Sequence, residues 1–357
     1  MFGPSLSLGS AAGIPIRIHW TFSLLMLWAA FANFAFSGSL AIALLGVVFL
    51  MVVFGCVVLH ELGHSLTARR YGIRTRSITL SPIGGVAALD SSPRHWKGEL
   101  WIALAGPAVN VVIALFLAPV VLAVGAFSPI MAEPFSTLGN FLFMILLANV
   151  ILAVFNMVPA FPMDGGRILR ALLASRTSRI TATNVAARIG QGFAIVMAVF
   201  GLVFSPFLTI IAVFVFLAAE MEKRSVAFEE TLSGATVSDV MRDSFATVGQ
   251  STTVDEVLSA AMRTGQDSFP VMSDGRLRGL VDLPSLIQAR RAGKGHVPVA
   301  EIVDPRVTPV SPGDELTGAF RNMQLSDRDV LPVLSDDRLV GLLPQRAIIS
   351  FQTLHGV

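Results

Sequence analysis

His60, Glu61 and His64 stand in the stretch VVLHELGHSLTARR, Val57 to Arg70, at the end of a long apolar run. Imidazoles four residues apart on an α-helix lie one turn apart on the same face, so both can reach one metal ion. Glu61 follows His60 and points about 100° further round the axis. From there a carboxylate can approach a water activated by the ion without being a ligand itself. The chemistry this spacing suits is metal-assisted hydrolysis, with zinc as the ion and Glu61 as the general base. The setting sharpens the reading, because Glu and His cost free energy in a membrane helix and need partners there. The alternative is structural: a histidine pair satisfied by neighbouring helices.

Two histidines leave a catalytic zinc one protein ligand short, since such ions usually take three and keep a position open for water. The third ligand must come from elsewhere at the same depth. The stretch FNMVPAFPMDGGRILRA, Phe155 to Ala171, ends another apolar segment and contains one acid, Asp164. Pro159 and Pro162 stop the preceding helix and extend the chain. Gly165 and Gly166 allow a tight bend beside the carboxylate. Alone, Asp164 reads as an N-cap for a helix starting near Arg167. Beside the histidines it reads as the third ligand. Asn156 is a candidate donor to the developing oxyanion, or a cap for its own helix.

The elements that position these residues are membrane helices. The chain is 54% hydrophobic and 14% charged, too apolar for an ordinary soluble protein of 357 residues. Six apolar segments, approximately 18–36, 41–68, 99–126, 138–158, 188–204 and 206–220, approach the roughly 20 residues a span requires. The last two are separated by Ser205–Pro206 and are read as two helices. No cleavable signal is evident, so the first segment is read as retained. Arg69, Arg70, Arg74, Arg76, Arg94 and Lys97 follow the second segment, and Arg167, Arg170, Arg176, Arg179 and Arg188 follow the fourth. The opposite loops, including the one from Ser128, carry no Lys or Arg. The positive-inside rule therefore puts both termini, and the ligand end of the bundle, in the cytoplasm. The lone Cys56 cannot build a disulfide framework and reads as a small buried side chain. His19 beside Trp20 reads as an interfacial ring rather than a site residue. A net charge of +2 is uninformative as a sum, and no direct nucleic-acid partner is expected.

The rest of the chain repeats itself. FPVMSDGRLRGLV from Phe269 is echoed by LPVLSDDRLVGLL from Leu331, with Pro270 matching Pro332 and Gly279 matching Gly341 at an offset of 62 residues. A period near 60 with strand, turn and strand in each copy argues for two similar α+β units. The expected organisation is a membrane domain over 1–222, a linker over 223–235 and a tandem pair over 236–357, with copies at about 236–292 and 297–354. The repeat resembles a pair of CBS domains, a module that commonly binds adenine nucleotides. In that family Ser/Thr and then Asp three residues later, after the second strand, hold ribose and phosphate. This sequence has Asp282 and Ser285 in one copy, and Pro344 and Ala347 in the other. Neither copy keeps the pattern, so packing, homodimerisation and substrate docking stand beside nucleotide binding as roles.

HELGH in a second apolar segment, with NMVPAFPMDGG, LAGPAVN (Leu104–Asn110) and SPIGGVAAL (Ser81–Leu89), resembles the site-2 protease family of intramembrane zinc metalloproteases, in its subgroup with C-terminal CBS domains. The resemblance implies zinc held by His60, His64 and Asp164, with Glu61 as base. It implies a polytopic α-helical membrane fold, a small membrane-associated β-hairpin near Gly84 and Gly85 that clamps an unwound substrate segment, and a cytosolic α+β CBS pair. It further implies a bacterial inner or plasma membrane and a substrate with a transmembrane helix, such as an anti-sigma or pro-sigma factor. The competing reading is a CBS-regulated transporter or channel, which would need a polar route through helices that offer little beyond Asn149 in their outer halves.

Overall fold

The computed structural model describes residues 5–82, 84–93, 95–125, 135 and 137–355. Arg94 of the first basic loop, and most of the uncharged loop from Ser128 to Thr137, lie outside the described residues. The chain forms two compact units, Met1–Arg224 and Ser225–Val357.

The first unit opens with a hairpin that the apolar segments did not announce. Strands β1 (Ser5–Ala11) and β2 (Ile14–His19) meet at Ala12–Gly13, both with positive φ, the geometry of a two-residue hairpin turn. Helices α1 (Thr21–Ser37) and α2 (Leu40–Arg70) follow, then β3 (Thr75–Ser81) and β4 (Gly84–Leu89). The expected hairpin over β3 and β4 exists, but as half of a four-stranded sheet ordered β1-β2-β3-β4, in which β2 runs parallel to β3. Ile14 and Ile78 bury against Leu62 of α2, and Phe22 meets Phe54 edge-on at 4.7 Å over Leu80. These contacts tie the sheet to the part of α2 that carries the histidines.

Helices α3 (Trp96–Val124), α4 (Leu138–Asn156), α5 (Asp164–Ala174), α6 (Arg179–Phe204) and α7 (Pro206–Leu232) complete the bundle. Among the described residues α2, α3, α4 and α6 are long and apolar enough to cross a membrane, and α1 is a shorter apolar helix. The first five apolar segments thus fall on helices α1 to α4 and α6, and the sixth on α7. Extended Ser205 separates α6 from α7, as two helices require. Residues 223–232, expected in a linker, continue α7. Arg69 and Arg70 close α2, where positive charge is favoured by the helix C-terminus. Gly63 of α2 leaves no room for a Cβ, which would lie 2.7 Å from the Ala105 carbonyl oxygen of α3. Small residues let two membrane helices approach this closely.

Helix α5 is fastened by charge. Arg170 is buried, donates to Glu99 of α3 and Glu222 of α7 at 2.6 Å each, and lies 5.0 Å from the ring centre of Phe161. Removing one partner from a buried ionic cluster strands the others without compensation. Arg170→Met is therefore expected to lower the unfolding free energy by about 3–5 kcal/mol, measured by denaturation in mild detergent, with Glu99→Gln recovering part of the loss. Unchanged stability of the single variant would refute this account.

In the second unit β5 (Val248–Gly249), α8 (Val254–Thr264), β6 (Ser268–Ser273), β7 (Arg276–Asp282) and α9 (Leu283–Arg291) form one copy. Helix α10 (Leu316–Leu325), β8 (Val330–Ser335), β9 (Arg338–Pro344) and α11 (Gln345–His355) form the other. The two hairpins turn on Asp274–Gly275 and Asp336–Asp337, all with positive φ. Thr253 and Glu256 cap α8 reciprocally, and the Thr253 backbone N–H holds the Glu256 carboxyl below its usual range. Gly279 and Gly341 recur because another segment of the same chain crosses each strand: Asp304 pairs with Leu280, and Arg242 with Leu342.

Candidate metal centre

Helix α2 presents His60 and His64 on one buried face, and α5 presents Asp164 as its first residue. The His60 and His64 Nε2 atoms lie 3.1 Å apart, and Asp164 Oδ2 is 3.2 Å from each. Asp164 belongs to the helix rather than capping it: Met163 is the N-cap, so α5 starts three residues before Arg167. A carboxylate in a first turn also faces the positive end of the helix dipole. Gly165 and Gly166 do not form the bend expected of them. They sit inside this turn, where the chain from Met157 to Phe161 passes so near that a Cβ on Gly166 would lie 2.6 Å from the Ala160 carbonyl carbon.

The other ring nitrogens decide what these donors can bind. His64 Nδ1 is 2.6 Å from the Ile102 carbonyl oxygen, which can only accept, so Nδ1 carries the proton. His60 Nδ1 is 2.5 Å from Asn110 Oδ1, and the Asn110 amide in turn donates to Asn149 at 2.9 Å. In the neutral rings both Nε2 atoms then turn lone pairs towards each other and towards a carboxylate. Three such acceptors at this separation repel unless a cation lies between, a metal ion or a proton taken up by a ring. Three ligands of a tetrahedral zinc at 2.0–2.1 Å stand about 3.3 Å apart, and the observed separations fit that size.

Gly106 of α3 faces the same point. A Cβ there would overlap His64 Nε2 and lie 2.7 Å from His60 Nε2. Glu61, half-buried, packs against β4: a Cβ on Gly85 would lie 2.7 Å from its Cγ. Gly84 opens β4 opposite Ser81 with φ +133°. Asn156 donates to the Leu152 carbonyl at 3.0 Å, a bond within its own helix, and His19 is bonded to Thr21 at 2.6 Å. Gly106, Asn110, Asn149 and the Ile102 carbonyl were not singled out for the site by spacing. The signal for two of them was LAGPAVN, where Asn110 follows Gly106 by one helical turn inside a lipid-soluble run.

A polytopic helical membrane protein with a buried His-His-Asp donor set and a C-terminal CBS pair is the class that fold and site define. The model of peptidase family M50 matches residues 48–134 and 124–200, and that of the CBS domain matches 237–292. A zinc metalloprotease of Methanocaldococcus jannaschii is 33% identical over 97% of this chain and 95% of its own length. Rip3 of Mycobacterium tuberculosis is 29% identical over 95% of this chain and 90% of its own. The solved site-2 protease from Methanocaldococcus jannaschii covers 62% of this chain and 96% of its own at 38% identity, with a TM-score of 0.47. The chain belongs to the site-2 protease family, peptidase family M50, and is a membrane metalloprotease.

Proposed function

We propose that the protein is an intramembrane zinc endopeptidase that hydrolyses a peptide bond in or near a transmembrane segment of another membrane protein. The observation that carries this reading is the buried triangle of His60, His64 and Asp164 donor atoms with Glu61 beside it. His60, His64 and Asp164 would hold the ion, and zinc there supplies Lewis acidity towards water and a scissile carbonyl. Glu61 accepts the proton that water loses on adding to the carbonyl. As the C–N bond breaks, Glu61 returns that proton to the leaving nitrogen.

A helical substrate has its carbonyls already hydrogen-bonded, so the scissile segment must unwind. Strand β4 lies at the edge of its sheet and runs past Glu61 at Gly85. An unwound segment can add to that edge by backbone pairing, which puts Gly84 and Gly85 at the substrate. Asn156 at the end of α4 would join as oxyanion donor only by giving up its bond to Leu152. The arginines after α2 and α4 favour cytoplasmic termini and entry of water from that side. In a bacterial inner membrane the substrate class includes membrane-held regulators such as anti-sigma or pro-sigma factors.

The CBS pair has a cleft of about 610 Å³ lined by Asp282, Ser285, Asp304 and Arg328 among others. We infer that phosphate is not recognised at the usual positions. Asp282 is occupied as the cap of α9, accepting from the Ser285 backbone at 2.8 Å; Arg328 is paired with Asp304; and Pro344 brings no side-chain donor. The domain boundaries 1–222 and 236–357, and a homodimer through the CBS pair, are part of the same proposal.

The test is cleavage of single-pass reporter proteins by the full-length chain in proteoliposomes. Cleavage is expected within or beside the membrane segment, lost on zinc chelation and restored by zinc. Cleavage that survives complete removal of metal would overturn the proposal.

A further inference from the structure

The two metal-facing histidines are anchored differently. The partner of His64 Nδ1 is a backbone carbonyl, which cannot be anything but an acceptor. The partner of His60 Nδ1 is the Asn110 side-chain amide, which can present either an oxygen or an NH₂ group. If the NH₂ group faced the ring, Nδ1 would have to accept. The proton would then move to Nε2, and His60 would offer the ion no lone pair.

Two buried amides away, the backbone removes that freedom. Asn149 of α4 donates through Nδ2 to the Ile145 carbonyl at 2.9 Å, within its own helix. The same Nδ2 lies 3.4 Å from Cys56 Sγ, so both its hydrogens have acceptors. Its Oδ1 is left to accept from Asn110 Nδ2 at 2.9 Å. Asn110 must then turn Oδ1 to His60. Asn110 and Asn149 are both fully buried, so no water takes the place of either partner. The order runs one way only: Ile145 carbonyl, Asn149, Asn110, His60.

We propose that Asn149 and Asn110 are positioning residues that set His60 in the Nδ1–H tautomer, so that a residue touching neither ion nor substrate decides whether His60 is a ligand. The inference rests on the metal-site reading above and extends it to a further helix, α4. Outer partners of metal-bound histidines typically change affinity by 10–100-fold when removed.

The experiment measures zinc affinity of the purified full-length protein by chelator competition, and the visible absorption of its Co²⁺ form. Asn149→Leu keeps the branched shape, with a somewhat larger side chain, and removes all three bonds, leaving Asn110 free to rotate. It is expected to weaken zinc binding by about 10-fold or more and to alter the Co²⁺ spectrum. Adding Asn110→Asp is expected to recover most of that loss, because a carboxylate presents an acceptor whichever way it turns. Asn149→Asp is expected to bind like the parent, since a carboxylic acid can donate to Ile145 and accept from Asn110. If Asn149→Leu does not fold, Asn110→Leu with and without Asn149→Asp carries the test: both should lose affinity equally. The inference fails if Asn149→Leu binds zinc as the parent does, or if the double variant binds no better than Asn149→Leu. A parent protein that binds no zinc would instead refute the metal site itself.

Discussion

Glu61→Gln is expected to reduce cleavage by roughly 10²–10⁴-fold, the usual contribution of a positioned general base, while the protein keeps its zinc. The donors that would face the ion are His60 Nε2, His64 Nε2 and Asp164 Oδ2, and none belongs to Glu61. Glutamine has nearly the same shape, so its packing against Gly85 survives. What it lacks is the ability to take a proton from water and give it to the leaving nitrogen. Zinc content and reporter cleavage, measured on one preparation, separate the two roles. Loss of zinc in the variant would make Glu61 a structural partner of the ligands, and retained cleavage would remove it from the chemistry. The same variant should hold its substrates uncleaved, which makes it the reagent for identifying them.

The histidine pair was legible because its signal is local. His60 and His64 are one helical turn apart in any α-helix, and Glu61 is adjacent in sequence. Asp164 was legible through topology, since two helices that end at one face bring their ends to one depth. The rest needed contacts no spacing encodes. Asn110 meets His60 across 50 positions, and the identity that matters is the direction of an amide, which only the partner Asn149 decides. The glycines beside Asp164 were expected for bending freedom, but neither has a positive φ; the neighbouring backbone demands them by proximity. The β1–β2 hairpin was missed although Ile14, Ile16 and Ile18 alternate with Pro15 and Arg17. Strands of seven and six residues beside a long apolar segment are overshadowed by it, and β3, the second partner of β2, lies some 60 positions on. In the CBS pair the repeat was plain, because its matching glycines and turns recur in order, whereas what fills its cleft is a matter of ion pairs such as Arg328 with Asp304.

Gly106→Ala is expected to be as damaging as losing a ligand, although it changes no ligand. The added methyl group would overlap His64 Nε2 and stand 2.7 Å from His60 Nε2, so something must give. The rings cannot swing aside freely. His64 is pinned through Nδ1 to the Ile102 carbonyl and His60 to Asn110, both on α3, the helix that carries residue 106. Moving α3 away would open the close packing of Gly63 on α2 against Ala105 and lose its contacts. Overpacking a tight core costs about 1–3 kcal/mol, and a reacting group displaced by 1 Å can cost about 100-fold in rate. The expected result is a folded bundle with zinc affinity and cleavage both reduced by about that factor. Gly55→Ala is the control: it lies on α2, five residues before His60, with open space where its Cβ would stand. In a helix interior that change favours the fold by up to about 1 kcal/mol and should leave zinc and cleavage unaltered. Equal zinc affinity in the two variants would show that α3 does not confine the ligands, and the centre would then owe its shape to α2 and α5 alone.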